Sequence, residues 1–320
     1  MRHTAATLPL ALLSLAISGQ LAAQTSTTTG SRQLDAVSVT AVRGARSVAE
    51  IAGTVYAIER EQIAQQTAAG RSTADILGQL VPSLAPASGT TSNYGMTMRG
   101  RSVQVMIDGV PLTGARDGSR QLNSISPSMI ERIEVISGAT ALYGAGASGG
   151  IINIITLQPG DAPVQLASQL GLRTPSDVSS DNLAWNAAQT MIVRGDIFSG
   201  AFGIAYGRQG ASLDAHGRRI GPEIAQTDRQ DTETKELNAR LNWTLTSTQQ
   251  LSLGVRWYDD QQDSDYGPDY GPRLAVLFNP AYQPSHNAVD GLQLNAQPRT
   301  RHQGVNAQYR NRDVFGGQEL

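Results

Sequence analysis

Hydrophobic and polar positions along this chain follow three successive rhythms. Arg2 and His3 precede an apolar run from Leu8 to Ile17, which gives way to Gly19 and the small residues Ala22 and Ala23. A run of about ten apolar residues is half of what a helix needs to cross a bilayer, and a basic start with a small-residue end is the pattern of an export signal. Residues 1–23 are therefore expected to be a signal peptide cleaved near Ala23. Thr25-Ser26-Thr27-Thr28-Thr29-Gly30-Ser31 is too polar to bury itself, so residues 24–45 are expected to be a flexible leader. Within it, Val37 and Val39 alternate with small residues across Asp35-Ala36-Val37-Ser38-Val39-Thr40-Ala41. Such an extended segment suits pairing with a partner's sheet edge, or the first edge strand of the next domain.

The second rhythm, within residues 46–158, mixes helical and strand periods as in a small α+β domain. Val55 to Ile58 predicts a strand and Arg60 to Thr67 a short helix. Ser72 and Asp75 have capping-box spacing ahead of a second helix that Pro82 ends. Extended segments are expected at Met96–Arg99 and Ser102–Ile107, then an Asp108-Gly109 turn suited to positive φ, then Val110-Pro111-Leu112. Ile130 to Ile136 alternates apolar and charged residues, which predicts one buried face with Glu131, Arg132 and Glu134 presented elsewhere. Ile151 to Thr156 is β-branched apart from Asn153 and predicts a strand buried on both faces.

Beyond Pro159 the third rhythm is a long period of two. Leu237, Ala239, Leu241, Trp243 and Leu245 alternate with polar residues, and Leu251, Leu253, Val255 and Trp257 repeat the pattern after a short turn. Phe202, Ile204 and Tyr206 do the same with Gly and Ala between them. Lipid outside and water inside a barrel produce this alternation, and so does a soluble sandwich. Runs near ten residues joined by polar segments such as Gln261 to Pro272 favour the barrel.

Composition narrows the classes. With 25 basic and 27 acidic side chains dispersed along the chain, there is no basic stripe for nucleic acid. The absence of Cys removes disulfides, thiolate nucleophiles and cysteine-ligated metals. No catalytic constellation stands out, and the four His are far apart in sequence. Gly144-Ala145-Gly146-Ala147-Ser148-Gly149 is a literal G-x-G-x-x-G, but the fingerprint requires a helix next, and Ile151 to Ile155 favours a strand. These glycines are expected to make a tight turn with close backbone approach between two strands.

Ile130-Glu131-Arg132-Ile133-Glu134-Val135, Ser137-Gly138-Ala139, Leu142-Tyr143-Gly144 and Gly149-Gly150-Ile151-Ile152-Asn153-Ile154-Ile155-Thr156 together resemble the plug of TonB-dependent outer-membrane receptors, as do Met98-Arg99-Gly100 and Val105 to Leu112. The segment Asp35 to Ala41 resembles the family's TonB box. The resemblance implies an α+β plug domain, a small mixed sheet with short helices, over residues 46–158, and the first strands of an incomplete transmembrane antiparallel β-barrel over residues 159–320. A family barrel of about 22 strands needs several hundred residues, so the chain is expected to be an N-terminal part.

It further implies a non-enzymatic importer of a scarce ligand in the cell outer membrane. The partners implied are TonB with its inner-membrane energising complex, a ferric siderophore and outer-membrane lipid, with no nucleic acid. No resident cofactor or metal is implied, ferric iron entering only within the cargo. Arg116 to Pro127 looks most like receptors for citrate-hydroxamate siderophores of the aerobactin type, with catecholates, haem, cobalamin or a passive porin or adhesin as alternatives. By analogy Asn93, Tyr94, Arg101, Arg116 and Arg120 lie on apical loops as ligand contacts, where Arg suits an anionic chelate and Tyr offers an apolar face with a polar tip. Arg99, Glu131, Arg132 and Glu134 are expected to lock the plug to the barrel wall.

Overall fold

The computed structural model describes residues 38–39, 46–47, 54–90, 95–112, 122–138, 145–159, 162–174, 181–222, 228–268, 288–292 and 297–313. The expected signal peptide and most of the leader lie outside them. Strand β1 (Ser38–Val39) pairs antiparallel with β2 (Arg46–Ser47) in a separate two-stranded ribbon, so β1 is not an edge of the sheet that follows.

That sheet has five strands: β3 (Thr54–Glu59), β4 (Val103–Ile107), β5 (Val110–Pro111), β6 (Ile130–Ser137) and β7 (Gly150–Thr156), in the order β3-β6-β7-β4-β5. Only the β4–β7 pair is parallel. Helices α1 (Arg60–Ala68) and α2 (Thr73–Leu80) connect β3 to the rest. The capping box expected at α2 is present, with the Ser72 hydroxyl accepting from the Asp75 backbone N–H and the Asp75 carboxylate accepting from the Ser72 N–H. Ile63, Ile76 and Leu77 lie over the sheet face formed by Val105, Ile133, Val135, Ile152 and Ile154. Each such side chain fully removed from water contributes about 1.5–3 kcal/mol.

Two-residue turns with both central φ positive shape this domain. Asp108 and Gly109 have φ of 50° and 77°, and Arg99 and Gly100 have 51° and 75°. Both are X-Gly pairs, the chemistry that tight hairpins demand. The Gly-rich segment behaves as a crossing of strands. A side chain at Gly149 would meet the carbonyl oxygens of Arg101, Met98 and Ser102 at 2.8–2.9 Å, and one at Gly150, whose φ is 149°, would collide with the Ile136 carbonyl. After these glycines the chain enters β7 rather than a helix.

Six longer antiparallel strands follow. They are β8 (Val164–Arg173), β9 (Ala184–Arg194), β10 (Phe198–Gln209), β11 (Thr232–Thr244), β12 (Gln249–Gln262) and β15 (Arg299–Asn311), and a short ribbon of β13 (Tyr266–Pro268) and β14 (Ala288–Asp290) lies between the last two. Neighbours in sequence are neighbours in the sheet, apart from that ribbon. Residues 195–197 and 245–248 make short connections at one end, and residues 210–231 and 263–298 make long ones at the other. Short periplasmic turns and long extracellular loops are the pattern of outer-membrane barrels. Among the described residues no helix is long and apolar enough to cross a membrane.

One sheet face carries large apolar side chains with nothing against them. Leu170 is 85% exposed, and Leu166, Phe202, Ile204, Leu241, Trp243 and Val305 are also exposed. Trp185 and Tyr206 meet with tilted rings at 5.1 Å near the end with long connections, and Phe198 meets Trp243 edge-on at 6.2 Å near the other. Apolar rows bounded by aromatic pairs match the lipid-facing band of a barrel wall. The opposite face, which meets the five-stranded domain, is mostly polar or small, with Ile192 and Tyr258 as its large buried side chains.

Candidate functional site

The five-stranded domain seats on this inner face along a seam. In β10 the inward positions Ser199, Ala201, Gly203, Ala205 and Gly207 are all small, and the outward ones include Phe198, Phe202, Ile204 and Tyr206. A side chain at Gly203 would run into the Met129 sulfur, so the absence of one lets Met129, at 1% exposure, reach the wall. Met129 closes a single 3-10 turn, Pro127–Met129, and just before it the Ser126 backbone N–H donates to Glu236 of β11 at 2.9 Å. Leu157, at the domain's exit, packs with Ile192 and Ala201 of the wall.

The strongest polar contact in the seam comes from the Asp108-Gly109 turn. The Asp108 carboxylate accepts from the Thr156 N–H at 3.0 Å and the Thr156 hydroxyl at 2.7 Å, and it pairs with the Arg240 guanidinium of β11 at 3.0 Å. Positive φ at Asp108 aims the carboxylate at the wall. The side chains of Arg240 and Asp108 are 20% and 15% exposed, so the pair is shielded and removing one partner strands the other. Asn153, the one polar residue within Ile151–Ile155, holds the turn from behind. Its Oδ1 accepts from the Gly109 N–H at 3.0 Å and its Nδ2 donates to Glu134 at 3.3 Å.

A cavity of about 1010 Å3 lies beside this seam, between α1 and α2 and strands β8 to β10. It is lined mainly by polar and small side chains such as Ser72, Asn123 and Asn186. At the end with long connections, Arg219 ion-pairs with Asp231 and lies 3.9 Å from the centre of the Tyr266 ring, tying two of those connections together. Asp214 nearby accepts backbone N–H bonds from Arg218 and His216, and the Arg218 N–H above all holds its carboxyl down at about 2. Among the described residues no group of three or more His, Asp or Glu side chains could hold a metal ion.

The expected site residues divide. Asn93, Tyr94, Arg116 and Arg120 lie outside the described residues, as do Asp35, Ala36, Val37, Thr40 and Ala41. Arg101 is exposed beside the Arg99-Gly100 turn, bridged through its backbone to Met98. Arg99 occupies the tip of that turn, also exposed, with its backbone N–H donating to Ser83.

For the other three expected locks, the partners described lie within their own domain. Glu131 pairs with Arg60 at 3.8 Å, and its carboxyl is pushed up by burial against the pull of that guanidinium. Arg132 donates twice to one oxygen of Glu134, at 2.8 and 3.0 Å. Glu134 is 1% exposed, because β6 is covered on both faces. The contacts described between this domain and the wall include those of Asp108, Ser126, Met129 and Leu157. Asp108 carried a usable signal, a carboxylate at a turn, but its partner on β11 did not.

Residues 47–151 match the TonB-dependent receptor plug domain. The matched stretch holds most of the five-stranded domain, and the six long antiparallel wall strands follow it. The chain is 36% identical over 289 residues to a rhizobactin receptor of Rhizobium meliloti (strain 1021), a match covering 90% of this chain and 38% of the relative. It is 35% identical over 282 residues to a ferric aerobactin receptor of Klebsiella pneumoniae, covering 88% and 38% respectively. The chain thus spans under two-fifths of these relatives. The same fold is found in the crystal structure of a siderophore receptor from Acinetobacter baumannii, with TM-score 0.59 and 16% identity over 83% of this chain and 38% of that one.

Proposed function

We propose that this chain forms the plug and first wall strands of an outer-membrane receptor that binds a ferric siderophore and imports it with energy delivered through TonB. The observation that carries the reading is the 36% identity with a rhizobactin receptor, which runs over 289 residues and so extends from plug to wall. The similar match to an aerobactin receptor favours a citrate-hydroxamate cargo, as does the segment Arg116 to Pro127. Such chelates carry carboxylates, and the fork of Arg donors at Arg101, Arg116 and Arg120 suits them, with Asn93 and Tyr94 completing the contact surface.

In this reading Asp35 to Ala41 is the TonB box, offered as a strand to TonB, with main-chain bonds carrying the affinity. The seam at Asp108 and Arg240 restrains the plug, and a pull on the leader has to disrupt or bypass it before cargo passes. No covalent chemistry is required of the protein, and ferric iron travels as cargo.

The test is uptake of radioactive iron by iron-starved cells expressing the gene, supplied as an aerobactin-type, a catecholate or a haem complex, with Val37→Pro alongside. The expected result is energy-dependent uptake of the citrate-hydroxamate complex that Val37→Pro abolishes while surface binding persists. Uptake unaffected by Val37→Pro would overturn the coupling, and uptake of only catecholate or haem iron would overturn the cargo.

A further inference from the structure

The outward face of the wall is not uniform at its two ends. Cross-strand register places Arg208, Glu233, Gln261 and Arg299 in one row across β10, β11, β12 and β15, and Tyr206, Lys235, Asp259 and Arg301 in the next. Both rows are at the end with long connections, directly above the apolar row that contains Ile204, Leu237 and Trp257. Arg208, Lys235, Arg299 and Arg301 are all exposed, and only Glu233 and Asp259 oppose them, so the patch carries two positive charges in excess within a chain of net charge −2. Asp259 draws Arg299 and Arg301 together, with Arg299 donating at 2.8 and 2.5 Å and Arg301 at 3.2 Å. Lys235 is held by Glu233 at 3.2 Å.

Two comparisons separate this patch from a general belt of charge. The same two rows continue onto β9 and β8 as Trp185 with Leu172 and Ala187 with Leu170, which are apolar. At the opposite end the last row to cross all four strands is Phe198, Trp243, Leu251 and Tyr309, and the pair beyond it is Gln249 with Asn311, all without a charge. Two rows of a strand span about 7 Å, close to the depth of the polar layer on one side of a bilayer.

We propose that this outward patch on β10, β11, β12 and β15 binds the phosphate of an anionic lipid headgroup in the leaflet on the side of the long connections. Guanidinium groups match phosphate with paired, charge-assisted hydrogen bonds, and Asp259 arranges two of them side by side while leaving their outer edges free. The lipid's chains lie along the exposed apolar rows below. The inference rests on the reading of this sheet as an outer-membrane wall.

The test uses the receptor extracted from outer membranes in mild detergent and titrated, by native mass spectrometry, with lipid A bearing two phosphates and with the same lipid dephosphorylated. The double substitution Arg299→Gln with Arg301→Gln is expected to weaken binding of the phosphorylated lipid about thirtyfold, at about fivefold per cation near a charged surface. Arg208→Gln with Lys235→Gln, on two other strands, is expected to weaken it similarly and guards against misfolding of either variant. Equal binding of the two lipids, or undiminished binding by both double variants, would overturn the proposal. Failure of the protein to fractionate with outer membranes would instead overturn the wall reading on which it rests.

Discussion

In the plug every residue of β7 from Gly150 to Thr156 is buried, whereas in the wall β8 exposes Leu166 at 68% and Leu170 at 85%. Both strands satisfy their backbones by pairing, so hydrogen bonding does not separate them. What separates them is what covers each face. The plug hides apolar side chains against its own helices. The wall turns its apolar side chains outward and keeps small and polar ones for the plug. Stability in the plug therefore resides in its interior, and in the wall, under the proposed membrane function, it resides in the match to lipid on one face and to the plug on the other.

The sharpest way to break that comparison is in the plug. Gly150→Val is expected to cost upward of about 4 kcal/mol, since it combines unfavourable φ with collision against the Ile136 carbonyl. The loss of a cooperative plug transition in urea would register it. On the wall, Leu253→Arg places a charge on the outward face and is expected to cost about 2–4 kcal/mol near the middle of the apolar band, with reduced assembly into membranes as the readout. Its inward neighbour Ser252 gives up only its bond to Asn242, so Ser252→Ala is expected to cost about 1 kcal/mol. If the two wall substitutions proved equally harmful, the assignment of the faces would be wrong.

Where the two regions meet the expected effects are smaller. Gly203→Val fills the space that Met129 occupies and is expected to cost about 1–3 kcal/mol of plug stability by overpacking, relieved in part by Met129→Ala. The smallest effect concerns protons. Because burial raises the Glu131 carboxyl above 4.5 in the folded plug, the native state holds that proton more tightly than the unfolded chain, and stability falls as pH rises through 4.5 and beyond. Glu131→Gln is expected to flatten this slope in urea titrations of the plug. Asp214 behaves oppositely, its contribution being present above 3.8 and lost as pH falls toward about 2, which hydrogen exchange at Arg218 would follow.

Much of the fold is legible in the sequence because period and turn chemistry are local. The capping box at Ser72, the Asp108-Gly109 turn and the alternation of β11 and β12 each follow from residues a few positions apart. The Gly149-Gly150 crossing was legible by elimination, since a helix could not follow it. The burial of Glu134 was not legible, because alternation says which residues share a face and leaves open whether the other face is covered. The seam was not legible because its partners are remote, Ser126 and Glu236 being 110 residues apart. The small inward residues of β10 were visible as a pattern, although what they make room for appears only in three dimensions.

The account turns on the plug being held to the wall by particular contacts, and a double-mutant cycle on Asp108 and Arg240 tests this most directly. Asp108→Ala, Arg240→Ala and the double variant would be compared by urea unfolding of the plug within the membrane-extracted receptor. A coupling of about 1.5–3 kcal/mol is expected for a shielded pair at 3.0 Å, the double variant being less damaged than the two single losses combined. Strictly additive losses would show that the plug does not depend on this contact and would contradict the account.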